Sequence, residues 1–257
     1  MQGTPTVHFY RLIEQARPPQ RADRSAAGTL PTRAFRYCDP VTSATAFGWW
    51  VFPPMDFQLL WDGTDVFWHC DAFTDWLLLS AAQFPHQAAR FDEAAPDRLA
   101  GCSQPFLMAT QEPGSVQLWT GLMARSAPDW SLLVRAPANL SGPGGYSMYE
   151  GILESDRWFG PLFVNLRLTR THIPVRLRAD FPLAQVQPLP RIAYADETLG
   201  AMSFVPDIAS LTPEDWDDYH TTVVAPNEDT NRPFGAYAVA ARKRRKGMCP
   251  MAHAAAG

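Results

Sequence analysis

No apolar run in this 257-residue chain approaches the roughly 20 residues a membrane-spanning helix needs. Cysteine is scarce, and no pair among Cys38, Cys70, Cys102 and Cys249 has Cys-x-x-Cys spacing. No basic-then-apolar leader opens the chain, so the expectation is reduced thiols in a cytoplasm. Charged residues make up 19%, below the usual share, and the net charge is -4. Nothing general therefore draws the chain to nucleic acid or to an anionic membrane. The one basic block, Arg242-Lys243-Arg244-Arg245-Lys246, reads as a solvated terminal segment. A Gly-x-Ser-x-Gly elbow, a His-Glu-x-x-His zinc helix and a glycine-rich dinucleotide loop are all missing, which leaves those three chemistries without sequence support. There is no internal repeat and no sustained low-complexity segment.

What the chain does have is apolar and aromatic mass. Hydrophobic residues reach 46%, enough for a core, and aromatics 12%, with 9 tryptophans. The 24 prolines predict many loops and short strands rather than long helices. Thr6 to Ile13 alternates as an opening strand, and Arg17 to Pro31 is a polar loop. Asp39-Pro40 starts a short helix that ends before Gly48. Phe57 to Trp61 and Val66 to Cys70 flank Asp62-Gly63, a hairpin signal. Phe106 to Thr110 and Val116 to Met123 flank Glu112-Pro113-Gly114-Ser115 as a second hairpin, and Trp130 to Arg135 is a further strand. Gln83 to Ala100, cut at Pro85 and Pro96, predicts short helices or a lid-like insertion. Near the C-terminus, Thr212-Pro213-Glu214-Asp215 is a helix start, with Trp216, Tyr219 and Val223 on one face to pack on the sheet. Pro233 to Lys246 predicts a second helix.

The clearest signal is Gly151 to Arg191, where Pro-Leu-Phe-Val-Asn-Leu-Arg-Leu, Ile-Pro-Val-Arg-Leu-Arg and Pro-Leu-Ala-Gln-Val-Gln-Pro-Leu-Pro alternate between turns. The expected fold class is mainly β: an antiparallel β-clip, barrel-like or sandwich core with short peripheral helices and two C-terminal helices. The expected domains are 1–205 (antiparallel β), 206–246 (helical extension) and 247–257 (flexible tail).

Within that stretch, Gly151-Ile152-Leu153-Glu154, Gly160, the strand ending near Asn165 to Leu168, and Leu183-Ala184-Gln185-Val186 resemble the β-clip core of dUTPases and dCTP deaminases. The resemblance covers residues 151–190. It implies that Glu154 orients an attacking water, that Trp158 replaces an aromatic stacking on the substrate, and that the protein is a homo-oligomer. The loop from Glu154 to Gly160 is one residue longer than the dUTPase pattern. The family's Asp-Ala-Gly and Pro-Arg-Ser-Gly motifs are absent; Arg135-Ala136-Pro137-Ala138-Asn139 stands roughly where the latter would be. The chain as a whole also resembles a bacterial family to which the sequence attaches no activity.

Other residues compete for the chemistry. His69 and Asp71 fall on one face of a predicted strand, the spacing of adjacent ligands in an iron site of two histidines and a carboxylate. His172 is the candidate distal ligand, His220 its alternative, and Arg176 could meet a substrate carboxylate bidentately. Trp49, Trp50, Phe52, Phe57, Trp61, Phe67 and Trp68 read as core, with an aromatic binding wall as the alternative. Cys249-Pro250-Met251-Ala252-His253 resembles a Cys-Pro haem-type tail.

The sequence thus predicts an Fe(II)-dependent oxidoreductase acting on a small organic molecule or amino acid, with metal ligands His69, Asp71 and His172 and catalytic residues Arg176 and Glu154. The alternatives are a non-catalytic β-clip ligand-binding module with an aromatic pocket, and a nucleotide pyrophosphatase or deaminase relative. Expected partners are a small-molecule ligand or substrate and a second copy of the chain, with no nucleic acid and no membrane.

Overall fold

A computed structural model describes residues 6–233 and 235–247, with side chains through 244. The Cys249–His253 segment lies outside the described residues. The strands are β1 (Val7–Arg11), β2 (Gln20–Arg21), β3 (Trp49–Val51), β4 (Phe57–Trp61), β5 (Val66–His69), β6 (Leu77–Leu78), β7 (Ala81–Ala82), β8 (Leu107–Ala109), β9 (Ser115–Ser126), β10 (Trp130–Arg135), β11 (Tyr146–Tyr149), β12 (Gly151–Leu153), β13 (Pro161–Leu168), β14 (Val175–Leu177) and β15 (Ala184–Pro190). The helices are α1 (Thr32–Tyr37), α2 (Asp39–Thr45), α3 (Gln87–Ala94), α4 (Asp196–Gly200), α5 (Pro213–Tyr219), α6 (Ala225–Glu228) and α7 (Ala236–Gly247). The fold is mainly antiparallel β with short helices, as the alternation predicts.

The chain divides into two compact units. The first comprises the residues through Thr29 and Thr45–Arg191; the second comprises Leu30–Ala44 and the residues from Ile192. The first holds three antiparallel sheets. One runs β11-β13-β9-β8-β7 with β1 also on β9, the second β12-β10-β15-β3-β2, and the third β14-β4-β5-β6. The stretch 151–191 feeds all three, because β13 lies in the first, β12 and β15 in the second and β14 in the third.

Period-two alternation builds the core. On β13, Leu162, Val164, Leu166 and Leu168 point inward. On β5, Val66 and Trp68 do the same. The long β9 is buried along most of its length because it has strand partners on both sides. Trp119, almost fully buried on β9, donates its indole N–H to Leu122 O at 2.8 Å, which satisfies its one polar atom. Of the aromatic cluster, Trp50, Phe52, Phe57 and Trp68 are buried, so the core reading holds for them.

Two local rules are visible. Pro188 and Pro190 sit in a strand that is central at its start. β3 pairs only Ala184, Gln185 and Val186 of β15, so both prolines fall where β15 has lost that neighbour and no ladder N–H is missed. Gly48 has φ +98°, and a Cβ there would lie 2.1 Å from Val186 O, so only glycine admits the entry into β3.

In the second unit, α7 packs on α1. Ala238 and Ala241 are buried, and Arg242 donates to Arg36 O at 3.1 Å. Helix α5 has the capping box its sequence predicts, with the Thr212 hydroxyl accepting from Asp215 N–H and the Asp215 carboxylate accepting from Thr212 N–H. Trp216, Tyr219 and Val223, expected to pack on the sheet, are instead exposed. Among the described residues no helix is long and apolar enough to cross a membrane.

Candidate functional site

Tyr149 to Gly160 carries the chain out of the first sheet, along the edge of the second, and back. Strand β12 is paired on one side only, by β10, with Gly151 opposite Val134 and Leu153 opposite Leu132. The peptide groups on its outer side therefore have no strand neighbour. Beside this edge lies a groove of about 280 Å³. Its walls are Val134, Ile152, Leu153, Pro161, Phe163 and Val164, and its rim is Tyr149, Glu150, Trp158 and Asn165. Gly151 lines the groove, and nothing lies within 4 Å of where its Cβ would be, so the face of β12 is open there. The Asn165 oxygen accepts from the Gln117 side-chain amide at 3.2 Å, which leaves its own NH₂ as a donor at the rim. Trp158 is held by shape: a Cβ on Gly160 would lie 2.2 Å from its ring.

The turn after β12 is anchored from below. The Ser155 hydroxyl is buried and donates to Ser126 Oγ at 2.8 Å, and Ser126 in turn donates to Trp130 O at 2.6 Å. Asp156 accepts from the Asp129 N–H at 3.1 Å and from Arg191 Nη2 at 2.5 Å. Arg191 Nη1 lies 2.5 Å from Glu154 Oε2, an ion pair without the angle of a good hydrogen bond. The Arg191 hydrogen bond is the main reason that the Asp156 carboxyl lies below the ordinary range; the Asp129 N–H and the Arg157 charge lower it further against the effect of burial. Arg191 is pushed up by the same carboxylates, Asp156 first and Glu154 second. Glu154 is thus held through Oε2, while Oε1 makes no hydrogen bond or ion pair among the described residues. Sequence reasoning named Glu154 but missed the Arg191 clasp, whose partners lie 35 and 37 positions away.

The second expected site resolves differently. His69 and Asp71 do share a small cavity of about 150 Å³ with Asp56, Gln58 and Arg176. Cross-strand register explains this, since Gln58 faces His69 on one side and Arg176 on the other. His172 does not join them. Its N–H donates to Trp61 O at 2.7 Å, at the turn end of the β4–β5 hairpin, beside Asp62. Trp61 pairs with Val66, three positions along β5 from His69, or about 10 Å of strand. His220 lies in the other unit. Among the described residues no group of three His, Cys, Asp or Glu side chains could hold a metal ion. The iron-dependent oxidoreductase and the metal set His69, Asp71 and His172 are therefore withdrawn, and Fe(II) with them. Arg176 meets Asp56 at 3.4 Å and stays largely exposed.

Neither the family models nor the curated proteins compared with the chain gave a match. Solved structures did. The dUTPase of Staphylococcus bacteriophage 80alpha with dUPNHPP gave a TM-score of 0.38 at 10% identity, covering 82% of this chain and 94% of that one. The dUTPase from phage phi11 of S. aureus gave 0.37 at 12%, covering 80% and 100%. A mutant of the phi11 enzyme, described for its coordination of a structural Mg(II) ion, gave 0.38 at 12%, covering 80% and 100%. Each of these solved structures is of a dUTPase, the family that residues 151–190 resemble.

Proposed function

We propose that the protein binds a pyrimidine-type nucleotide by its base, in the groove between β12 and Trp158. The observation that supports this is the pairing of an unshielded strand edge with an aromatic rim. A pyrimidine ring needs a π-face to stack on and alternating donors and acceptors along its edge. Trp158 offers the first, and the outer peptide groups of β12 with the Asn165 NH₂ offer the second. An apolar floor with few polar groups is the usual make-up of a small-ligand site. Calorimetric titration with dUMP, dCMP and AMP tests the reading. The pyrimidines should bind, and Trp158→Ala should weaken them about tenfold or more, the usual worth of one base–aromatic stack. Absence of binding, or an unchanged affinity in Trp158→Ala, would overturn it.

A second reading adds chemistry. Glu154 follows β12 directly, and a carboxyl group held through one oxygen, with the other facing no described residue, is suited to orienting a water. On this reading the protein hydrolyses the phosphoanhydride of a pyrimidine nucleoside triphosphate. Pyrophosphate release from dUTP or dCTP in Mg²⁺ buffer, abolished in Glu154→Gln while dUMP affinity is kept, is the expected result. Binding without release would leave the protein a binding module.

A further inference from the structure

A larger cavity, of about 420 Å³, lies elsewhere in the same unit and shares no lining residue with the nucleotide groove. Pro53, Pro143, Phe181, Pro182 and the ring of Tyr146 wall it, and Arg176 and Arg178 reach its mouth. Its volume falls within the range of small-molecule sites. Three of those wall residues are prolines, whose fixed φ leaves little to reorganise when a ligand enters.

The two guanidinium groups are not equivalent. Arg178 is locked onto Asp180, its Nε donating to Oδ1 at 2.8 Å and its Nη2 to Oδ2 at 2.5 Å. Arg176 makes one long contact, Nη2 to Asp56 Oδ2 at 3.4 Å, and Asp56 also accepts from Ala179 N–H at 2.8 Å. Most of the Arg176 fork therefore has no protein acceptor. Arg17, Arg176 and Arg178 line the adjoining hollow with Asp56 and Asp180, and Asp71 shares a small cavity with Arg176 on its other side. Tyr146 also lines the cavity and brings a phenol that can donate, and burial pushes its pKa up.

We infer that this cavity binds a small aromatic monocarboxylate, its ring between Phe181, Tyr146 and the prolines and its carboxylate on the Arg176 guanidinium. A planar carboxylate matches the fork bidentately. A dianion would leave an excess of negative charge beside Asp56 and Asp180, and a neutral ring would leave the guanidinium without an acceptor.

Saturation-transfer NMR on the full chain tests this with three probes of like shape: phenylacetate, phenyl phosphate and 2-phenylethanol. Phenylacetate should bind saturably, with a Kd of about 1 mM or tighter, and about tenfold more tightly than either of the others. Arg176→Gln should reduce phenylacetate binding about tenfold. This exposed substitution leaves the fold intact, which far-UV circular dichroism checks. Tyr146→Phe should reduce it less. No saturable binding, equal binding of the alcohol, tighter binding of the phosphate, or an unaffected Arg176→Gln would each overturn the inference. Because the groove is separate, dUMP affinity should be the same in Arg176→Gln as in the parent, so failure here and failure of the nucleotide reading are distinguishable.

Discussion

Gly160 has no Cβ because the Trp158 ring occupies its place, 2.2 Å from where that atom would be. An alanine there has to push the indole aside. Trp158 is partly exposed, so the ring can swing toward solvent without disturbing the core. Gly160→Ala is therefore expected to weaken dUMP binding nearly as much as Trp158→Ala while changing stability by about 1 kcal/mol or less. Titration calorimetry and thermal unfolding together check both halves. Asp156 makes a second prediction at this scale. Its pKa is lowered in the folded state, so its contribution is fully present above the unfolded carboxyl value, about pH 4, and is lost as pH falls through the lowered value. Asp156→Asn should lower Tm at pH 7, and the two Tm curves should converge below about pH 4. Parallel curves down to pH 2 would show that the Arg191 clasp carries no stability. None of this was legible in the sequence beyond the identity of the residues. A clasp between positions 156 and 191 needs the register of β10 with both β12 and β15 to bring its ends together.

Elements were more legible than sites. The Asp62-Gly63 hairpin, the Pro113-Gly114 hairpin and the α5 capping box follow from local rules, and all three form. Strand β5 ends at His69, so the alternation that orients His69 stops short of Asp71, which lies in the turn that follows. What alternation could not give was the partner from a distant segment. Whether His172 meets His69 depends on where β14 docks along β4, and no local pattern encodes that. The Leu183-Ala184-Gln185-Val186 resemblance gains a physical reason here. Gln185 is fully buried, accepts from Ala138 N–H at 2.8 Å and donates to Phe47 O at 2.6 Å, tying β15 to the segments on either side. Gln185→Leu leaves both groups without that partner and should cost about 1–3 kcal/mol, measurable as a lower urea midpoint. An unchanged midpoint would mean that water replaces the amide.

At the scale of the whole molecule, one 41-residue stretch supplies strands to each of the three sheets, and both proposed ligand sites draw walls from it. That is why the sequence signal there was strong for architecture and divided for chemistry: the same alternating runs build core, groove and cavity. Among the described residues no cluster of His, Cys, Asp or Glu is built to hold a metal ion in the fold. Dialysis against EDTA is expected to leave Tm unchanged, and His69→Ala should carry no less iron than the parent when both are purified with Fe(II). A Tm loss on chelation would reopen the metal question.

The most direct measurement is calorimetric titration of dUMP into the parent and into Gly151→Val. A Cβ at this position meets nothing within 4 Å and Gly151 lines the groove, so the fold should not change while the added side chain takes up groove space where the base is placed. The expected result is binding in the parent and a loss of about tenfold or more in Gly151→Val, at equal Tm. Equal affinity in the two proteins would contradict the placement of the nucleotide at β12.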